Sequence, residues 1–232
     1  ELLAPVLVGL NPVLIGHVLA AMNSAMDGGV GAKSAIDIAC WDLLGKATGH
    51  RVCDLLGGPL MDPVSTYHVI AIGTPDESAS SANHLQNDGH TKLQLKAGGR
   101  RIEDDIRAAH AVASVIRPGV DLFVDANRGF SVEQAIQFSH ACAGLRLNME
   151  QPCHTYEACA AAKPSLVHPL LLDESAKDLA IVAKAISSGV ANGFGMKLTR
   201  VGGLSGMRAI RDLCIATNTP TSFDDSWGGD II

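Results

Sequence analysis

Aromatic residues are scarce, at 4% of the 232 residues, and Lys plus Arg (18) are outnumbered by Asp plus Glu (24). Without a basic stripe interleaved with stacking rings, a nucleic-acid surface is excluded. No apolar run approaches the roughly 18 residues that would span a bilayer, and nothing at the N-terminus reads as a signal peptide, so no membrane association and a cytoplasmic setting are expected. The six cysteines form no CxxC pair, which argues against a zinc frame or disulfide scaffold and for reduced, buried thiols. The nine histidines form no HExxH and no other helical ligand pair.

What is present is a 47% hydrophobic, 18% charged chain with material for one sizeable core. Gly31 to Ala47, GAKSAIDIACWDLLGKA, carries Ala32, Ala35, Ile36, Ala39, Cys40, Leu43 and Leu44 at helical spacing, with Gly49 as a stop signal. GGP at Gly57 to Pro59 then breaks the chain. The expected division is residues 1–60, a helical part leading into a barrel, and 61–232, strands one to seven of that barrel.

Seven short apolar runs follow: VSTYHVIAIG, TKLQLKAG, DLFVDANRG, LRLNMEQP, HPLLLDES, GFGMKLTR and TPTSFDDS. Alanine-rich amphipathic stretches separate them, such as those around Asp104 to Ile116 and Val132 to Ala143. Strict alternation predicts a parallel sheet with crossover helices, and a (β/α) barrel suits it better than an open sheet.

From the second run to the seventh, each apolar stretch ends on a charge: Lys96, Asp125, Glu150, Asp173, Lys197 and Asp224. Their separations of 23 to 29 residues each match one β/α unit. Strand alternation turns Leu93 and Leu95 away from Gln94 and Lys96, and Met196 and Leu198 away from Lys197. If the apolar faces pack on helices, the charges point into the barrel at the C-terminal strand ends.

Buried charges persist only when paired or metal-bound. Asp125, Glu150 and Asp173 offer hard oxygen donors without Cys or His, a set that suits Mg²⁺. A divalent cation disfavours a neighbouring ammonium, which makes Lys96 and Lys197 candidate proton acceptors. Gln94 and Asn127 are expected to support these groups, and Glu174, next to Asp173, is expected to point to the opposite side as a structural partner rather than a ligand. GGLSG at Gly202 to Gly206 reads as a turn into a helix rather than a phosphate loop.

These residues resemble the enolase superfamily, specifically its mandelate racemase/muconate lactonizing enzyme family and the muconate lactonizing subgroup. AKSAIDIACWDLLGK at Ala32 to Lys46 is similar to the helix that joins that family's capping domain to its barrel. The resemblance implies a (β/α)7β-type modified TIM barrel with part of an N-terminal α+β capping domain. It places Lys96 and Lys197 as catalytic lysines and Asp125, Glu150 and Asp173 as Mg²⁺ ligands. One departure is Gln94-Leu95-Lys96 where the family pattern is Lys-x-Lys. Another is extent: relative to the family the chain begins inside the capping domain and stops after the seventh strand, as a portion of a longer protein would.

The resemblance implies abstraction of the proton α to a carboxylate, with two outcomes open. Loss of a β-hydroxyl gives dehydration; reprotonation from the other face gives racemisation or epimerisation. FDDSWGGDII supplies Asp224, Asp225 and Trp227, suited to a cationic amine by ion pairing and cation–π contact; packing of Trp227 under a loop is the alternative. With GFGMKLTRVGG and MEQPC, this segment is similar to members acting on proline derivatives, first dehydratases of cis-3-hydroxy-L-proline and second epimerases of hydroxyproline betaine. Tyr67 and His68 are candidates for lining the pocket. A small amino-acid carboxylate is the expected partner and a homo-oligomer the expected assembly. A noncatalytic metal- or amino-acid-binding barrel is the reading from another class.

Overall fold

Gly49, at φ 72°, passes its N–H back to the carbonyl of Gly45 and stops a helix over Val30–Thr48, where the sequence places its stop signal. That helix is α3, after α1 (Ala4–Leu7) and α2 (Ile15–Ala25) and before the short α4 (Val52–Leu55). The computed structural model describes residues 2–61 and 63–224.

Strand and helix then alternate: β1 (His68–Ile70), α5 (Pro75–Asn87), β2 (Lys92–Lys96), α6 (Ile102–Val115), β3 (Asp121–Asp125) and α7 (Val132–Ala141). There follow β4 (Asn148–Glu150), α8 (Tyr156–Ala162), β5 (Leu170–Leu172), α9 (Leu179–Ser187), β6 (Gly193–Met196), α10 (Leu198–Val201), α11 (Leu204–Ala216) and β7 (Thr221–Phe223). All seven expected strands are present. The chain divides into two compact units: residues 1–62, 176–183 and 196–232 form one, and 63–175 and 184–195 the other.

In the second unit β1 to β6 pair in chain order, every pair parallel. Parallel neighbours need a crossover, and the intervening helices supply it. Several of these helices start on side-chain caps that the loops provide. Thr74 and Ser131 form capping boxes with Glu77 and Gln134, and Thr155 accepts from the N–H of Ala158. Alternate strand residues such as Leu93, Leu95, Val124 and Met149 are buried at 2% exposure or less. Their intervening neighbours carry the charges, as alternation requires.

In the first unit α3 buries Ser34, Asp37, Ile38, Cys40, Trp41 and Gly45. This face is rotated from the apolar positions in the sequence, since Leu43 is 45% exposed and Ala32, Ala35 and Ala39 are exposed as well. Hydrogen bonding is the reason. Asp37 accepts from the N–H (2.9 Å) and Oγ–H (2.5 Å) of Ser205, Trp41 Nε1 donates to Ser205 Oγ (2.9 Å), and Ser34 Oγ donates to Leu198 O (3.2 Å). Gly203 precedes α11 and brings no capping side chain, so the carboxylate of Asp37 caps that helix from α3. Gly203 has φ 98°, and a Cβ there would collide with the Asp37 carboxylate. Leu3, Val18, Met22 and Cys40 form a smaller apolar cluster with α1 and α2.

The cysteines are free thiols, buried except for Cys53. No helix among the described residues is long and apolar enough to cross a membrane.

Candidate active site

Residues opposite one another in a parallel pair project to the same face, so register decides which side chains can meet. Lys96 lies opposite Asp125, and Asp125 opposite Glu150. Lys96 Nζ donates to Asp125 Oδ2 at 2.6 Å, and Gln94 Nε2 donates to Glu150 Oε2 at 2.7 Å. The second bond skips a strand. Flat next-nearest strands stand about 9–10 Å apart, so contact between β2 and β4 side chains requires the sheet to curl around this face.

Asp173 joins by a different route. Glu150 lies opposite Leu171, and Asp173 is two residues further along, with the same parity but beyond the end of β5. Gln151 holds it there: its Oε1 accepts from the N–H groups of Asp173 and Ser175, both at 3.1 Å. Its Nε2 donates to Ser175 Oγ (2.8 Å) and Cys153 O (3.0 Å). Glu150 and Asp173 consequently offer carboxylate oxygens within 4.8 Å of each other. A Cβ on Gly195 of β6 would come within 2.9 Å of Glu150 Oε1 and 3.2 Å of Asp173 Oδ1. Glycine there leaves room for the two carboxylates.

Asp125, Glu150 and Asp173 are 2%, 3% and 1% exposed. Asn127, at φ 44°, donates its N–H to Asp125 Oδ1 (2.8 Å) and its Nδ2 to Glu174 Oε1 (3.4 Å). Burial, then the neighbouring charges of Asp173 and Asp125, push the Glu174 carboxyl above the usual carboxylate range. Alternation would turn Glu174 to the side opposite Asp173, but β5 ends at Leu172, and Glu174 instead feels the charges of Asp173 and Asp125. Glu150 and Asp173 lie side by side with Gly195 leaving space at both, and Asp125 stands in register with Glu150; these hard oxygen donors suit a small divalent cation such as Mg²⁺.

The loops behind the acids are tied down. Arg100 Nε donates to Asp105 (2.5 Å), Arg100 Nη1 to Gly73 O (2.6 Å), and the Gly98 N–H to the other Asp105 oxygen (2.9 Å). This brace follows Lys96 by a few residues and fixes the turn that ends β2.

In the first unit Lys197 has an extended backbone (φ −129°, ψ 130°) just before α10. Its Nζ lies 3.3 Å from Asp224 Oδ2, and the Asp224 N–H donates to Met196 O at 2.8 Å. Asp225 and Trp227 lie outside the described residues. His68 registers against Leu93, the parity opposite to Lys96, and its ring stacks on His90 with centroids 3.4 Å apart. The strand therefore does not bring His68 to the acids. Tyr67, partly buried, precedes β1.

Sequence reasoning missed the parts played by Gln151 and Gly195. Gln151 was visible only as the residue after a strand-end acid. Gly195 stood inside the GFGMK run, where a glycine in a strand signals close approach.

Residues 1–57 match the mandelate racemase/muconate lactonizing enzyme N-terminal domain, and residues 77–231 match the enolase C-terminal domain-like family. The chain is 39% identical over 230 residues to a cis-3-hydroxy-L-proline dehydratase from Roseibium aggregatum, covering 99% of this chain and 62% of that protein. It is 28% identical to an N-succinyl-L-Arg/Lys racemase from Bacillus cereus, covering 87% of this chain and 56% of that protein. The structure of an enolase-superfamily member from Roseovarius nubinhibens, complexed with magnesium, superposes with a TM-score of 0.93 at 32% identity, covering 98% of this chain and 62% of the other. The chain thus spans about three fifths of the length of these relatives. Its fold is of the TIM-barrel class that they share, and the chain belongs to the mandelate racemase/muconate lactonizing enzyme family of the enolase superfamily.

Proposed function

We propose that the protein is a Mg²⁺-dependent lyase that removes the α-proton of an amino-acid carboxylate and eliminates a β-hydroxyl, with cis-3-hydroxy-L-proline as substrate. The observation that carries this is the curled face that holds Lys96 against Asp125, with Glu150 and Asp173 beside them. The 39% identity to a cis-3-hydroxy-L-proline dehydratase supports the choice of substrate.

Asp125, Glu150 and Asp173 would hold Mg²⁺, which when bound supplies positive charge against the substrate carboxylate as the α-proton leaves. Lys96 takes that proton, acting as the base toward an L-substrate. Lys197 gives a proton to the departing 3-hydroxyl, which leaves as water. The remaining enamine tautomerises to a cyclic imine acid. Asp224, Asp225 and Trp227 hold the substrate amine, and Asn127 and Glu174 steady the acids.

Epimerisation is the second reading, supported by the racemase among the relatives. There Lys197 would return a proton to carbon on the opposite face.

Incubation of the complete protein with Mg²⁺ and cis-3-hydroxy-L-proline in D₂O, followed by NMR, distinguishes these readings. The expected result is loss of the substrate signals and appearance of a cyclic imine, abolished in Lys96→Ala. Deuterium at the α-carbon with the hydroxyl retained would replace the dehydratase with an epimerase. No exchange by the wild type with any proline derivative, and no change on Lys96→Ala or Lys197→Ala, would overturn the proton-abstraction reading.

A further inference from the structure

Gln94 is 3% exposed, and its amide has only one sensible orientation. An ionised Glu150 can only accept, so the group 2.7 Å from its Oε2 is the Nε2 donor, and Oε1 occupies the other branch of the amide. That Oε1 is buried and has no hydrogen-bond partner among the described residues. A buried carbonyl without a donor carries an uncompensated desolvation cost. Nearby, Asp125, Glu150 and Asp173 are all nearly fully buried, and the ammonium of Lys96 is already bonded to Asp125. The residue that touches Glu150 from β2 therefore steadies a carboxylate without adding positive charge, and it brings a partial negative charge of its own.

We infer that Gln94 is a positioning residue that sets the affinity of this interior for a divalent cation. It orients Glu150 through a neutral donor and leaves both the carboxylate charge and an unsatisfied carbonyl dipole available to a cation. A lysine at 94 could make the same bond to Glu150, but its ammonium would compete for that carboxylate and repel a divalent ion a few ångströms away. The inference rests on the Mg²⁺ reading of the acids and adds what determines how tightly they bind.

The test is isothermal titration calorimetry of the complete protein with Mg²⁺ and Mn²⁺, comparing wild type with Gln94→Lys, Gln94→Met and Gln94→Glu. Each variant is first checked for folding by its unfolding midpoint in EDTA. Gln94→Lys is expected to weaken binding at least about thirtyfold, Gln94→Met, which loses both the donor to Glu150 and the carbonyl, by about three- to tenfold, and Gln94→Glu to bind at least as tightly as wild type. The ordering by charge can be read from any two variants that fold. Equal affinity in Gln94→Lys and wild type, or equal loss in Gln94→Lys and Gln94→Met, would overturn the role of Gln94. Absence of binding by the wild type would instead overturn the metal reading on which it rests.

Discussion

At the scale of single residues, the site depends as much on a missing side chain as on charged ones. Gly195 leaves open the space beside Glu150 and Asp173 that a Cβ would enter at 2.9 Å and 3.2 Å. Gly195→Ala is expected to displace one of the two acids and to cost about 1–3 kcal/mol of stability. Urea unfolding should show that loss, and Mg²⁺ should restore less stability to the variant than to wild type. The acids and Lys96 were legible in the sequence because alternation fixes the parity of a strand residue once its apolar neighbours are known. Gln151 was not. Its importance comes from hydrogen bonds to Asp173 and Ser175, 22 and 24 residues away, and no local pattern announces partners at that distance.

At the scale of elements, the order of strands and helices follows from composition and punctuation, and helix boundaries fall within a few residues of the sequence reading. The buried face of α3 does not follow. Polar Ser34 and Asp37 go inside because α10 and α11 give them partners, while Leu43 stays partly in water. Hydrophobic periodicity cannot foresee burial that is driven by capping.

The approach to β5 offers a pH test. His168 is 6% exposed, donates through Nε2 to Leu145 O (3.2 Å) and accepts at Nδ1 from Ser139 Oγ (3.1 Å). Burial holds its imidazolium form below the ordinary histidine range, only partly opposed by backbone carbonyls. Because the folded value lies below the unfolded one, near 6.5, protons bind more readily to the unfolded chain. Full stability is therefore present above about pH 6.5 and falls as the pH drops toward the folded value, by at most about 1.4 kcal/mol per pH unit. Denaturant titrations at pH 7.5 and 5.5 should show a smaller difference in His168→Gln than in wild type. An unchanged difference would mean that His168 titrates alike in both states.

At the scale of the whole molecule, the family could be recognised because its chemistry is distributed, one charged residue per strand end. The same distribution makes stability respond to the ion that the acids are proposed to hold. Removing divalent cations with EDTA is expected to lower the unfolding midpoint, and Mg²⁺ at about 100 times its Kd should return about 2.7 kcal/mol. Scanning calorimetry with and without chelator measures this, and coincident transitions would count against a cation site.

The cap that Asp37 places on α11 also has a temporal consequence. Its partner, Ser205, is 168 residues away in the chain, so during synthesis α3 exists long before the backbone groups that its carboxylate must satisfy. Closing so long a loop is entropically late, and contacts of this span generally form after the local ones. Asp37→Ala should therefore cost about 2 kcal/mol and appear mainly as faster unfolding, with refolding nearly unchanged. Stopped-flow measurements of both rates would locate the cap on the folding pathway; a slowed refolding limb would mean that the two distant segments meet early.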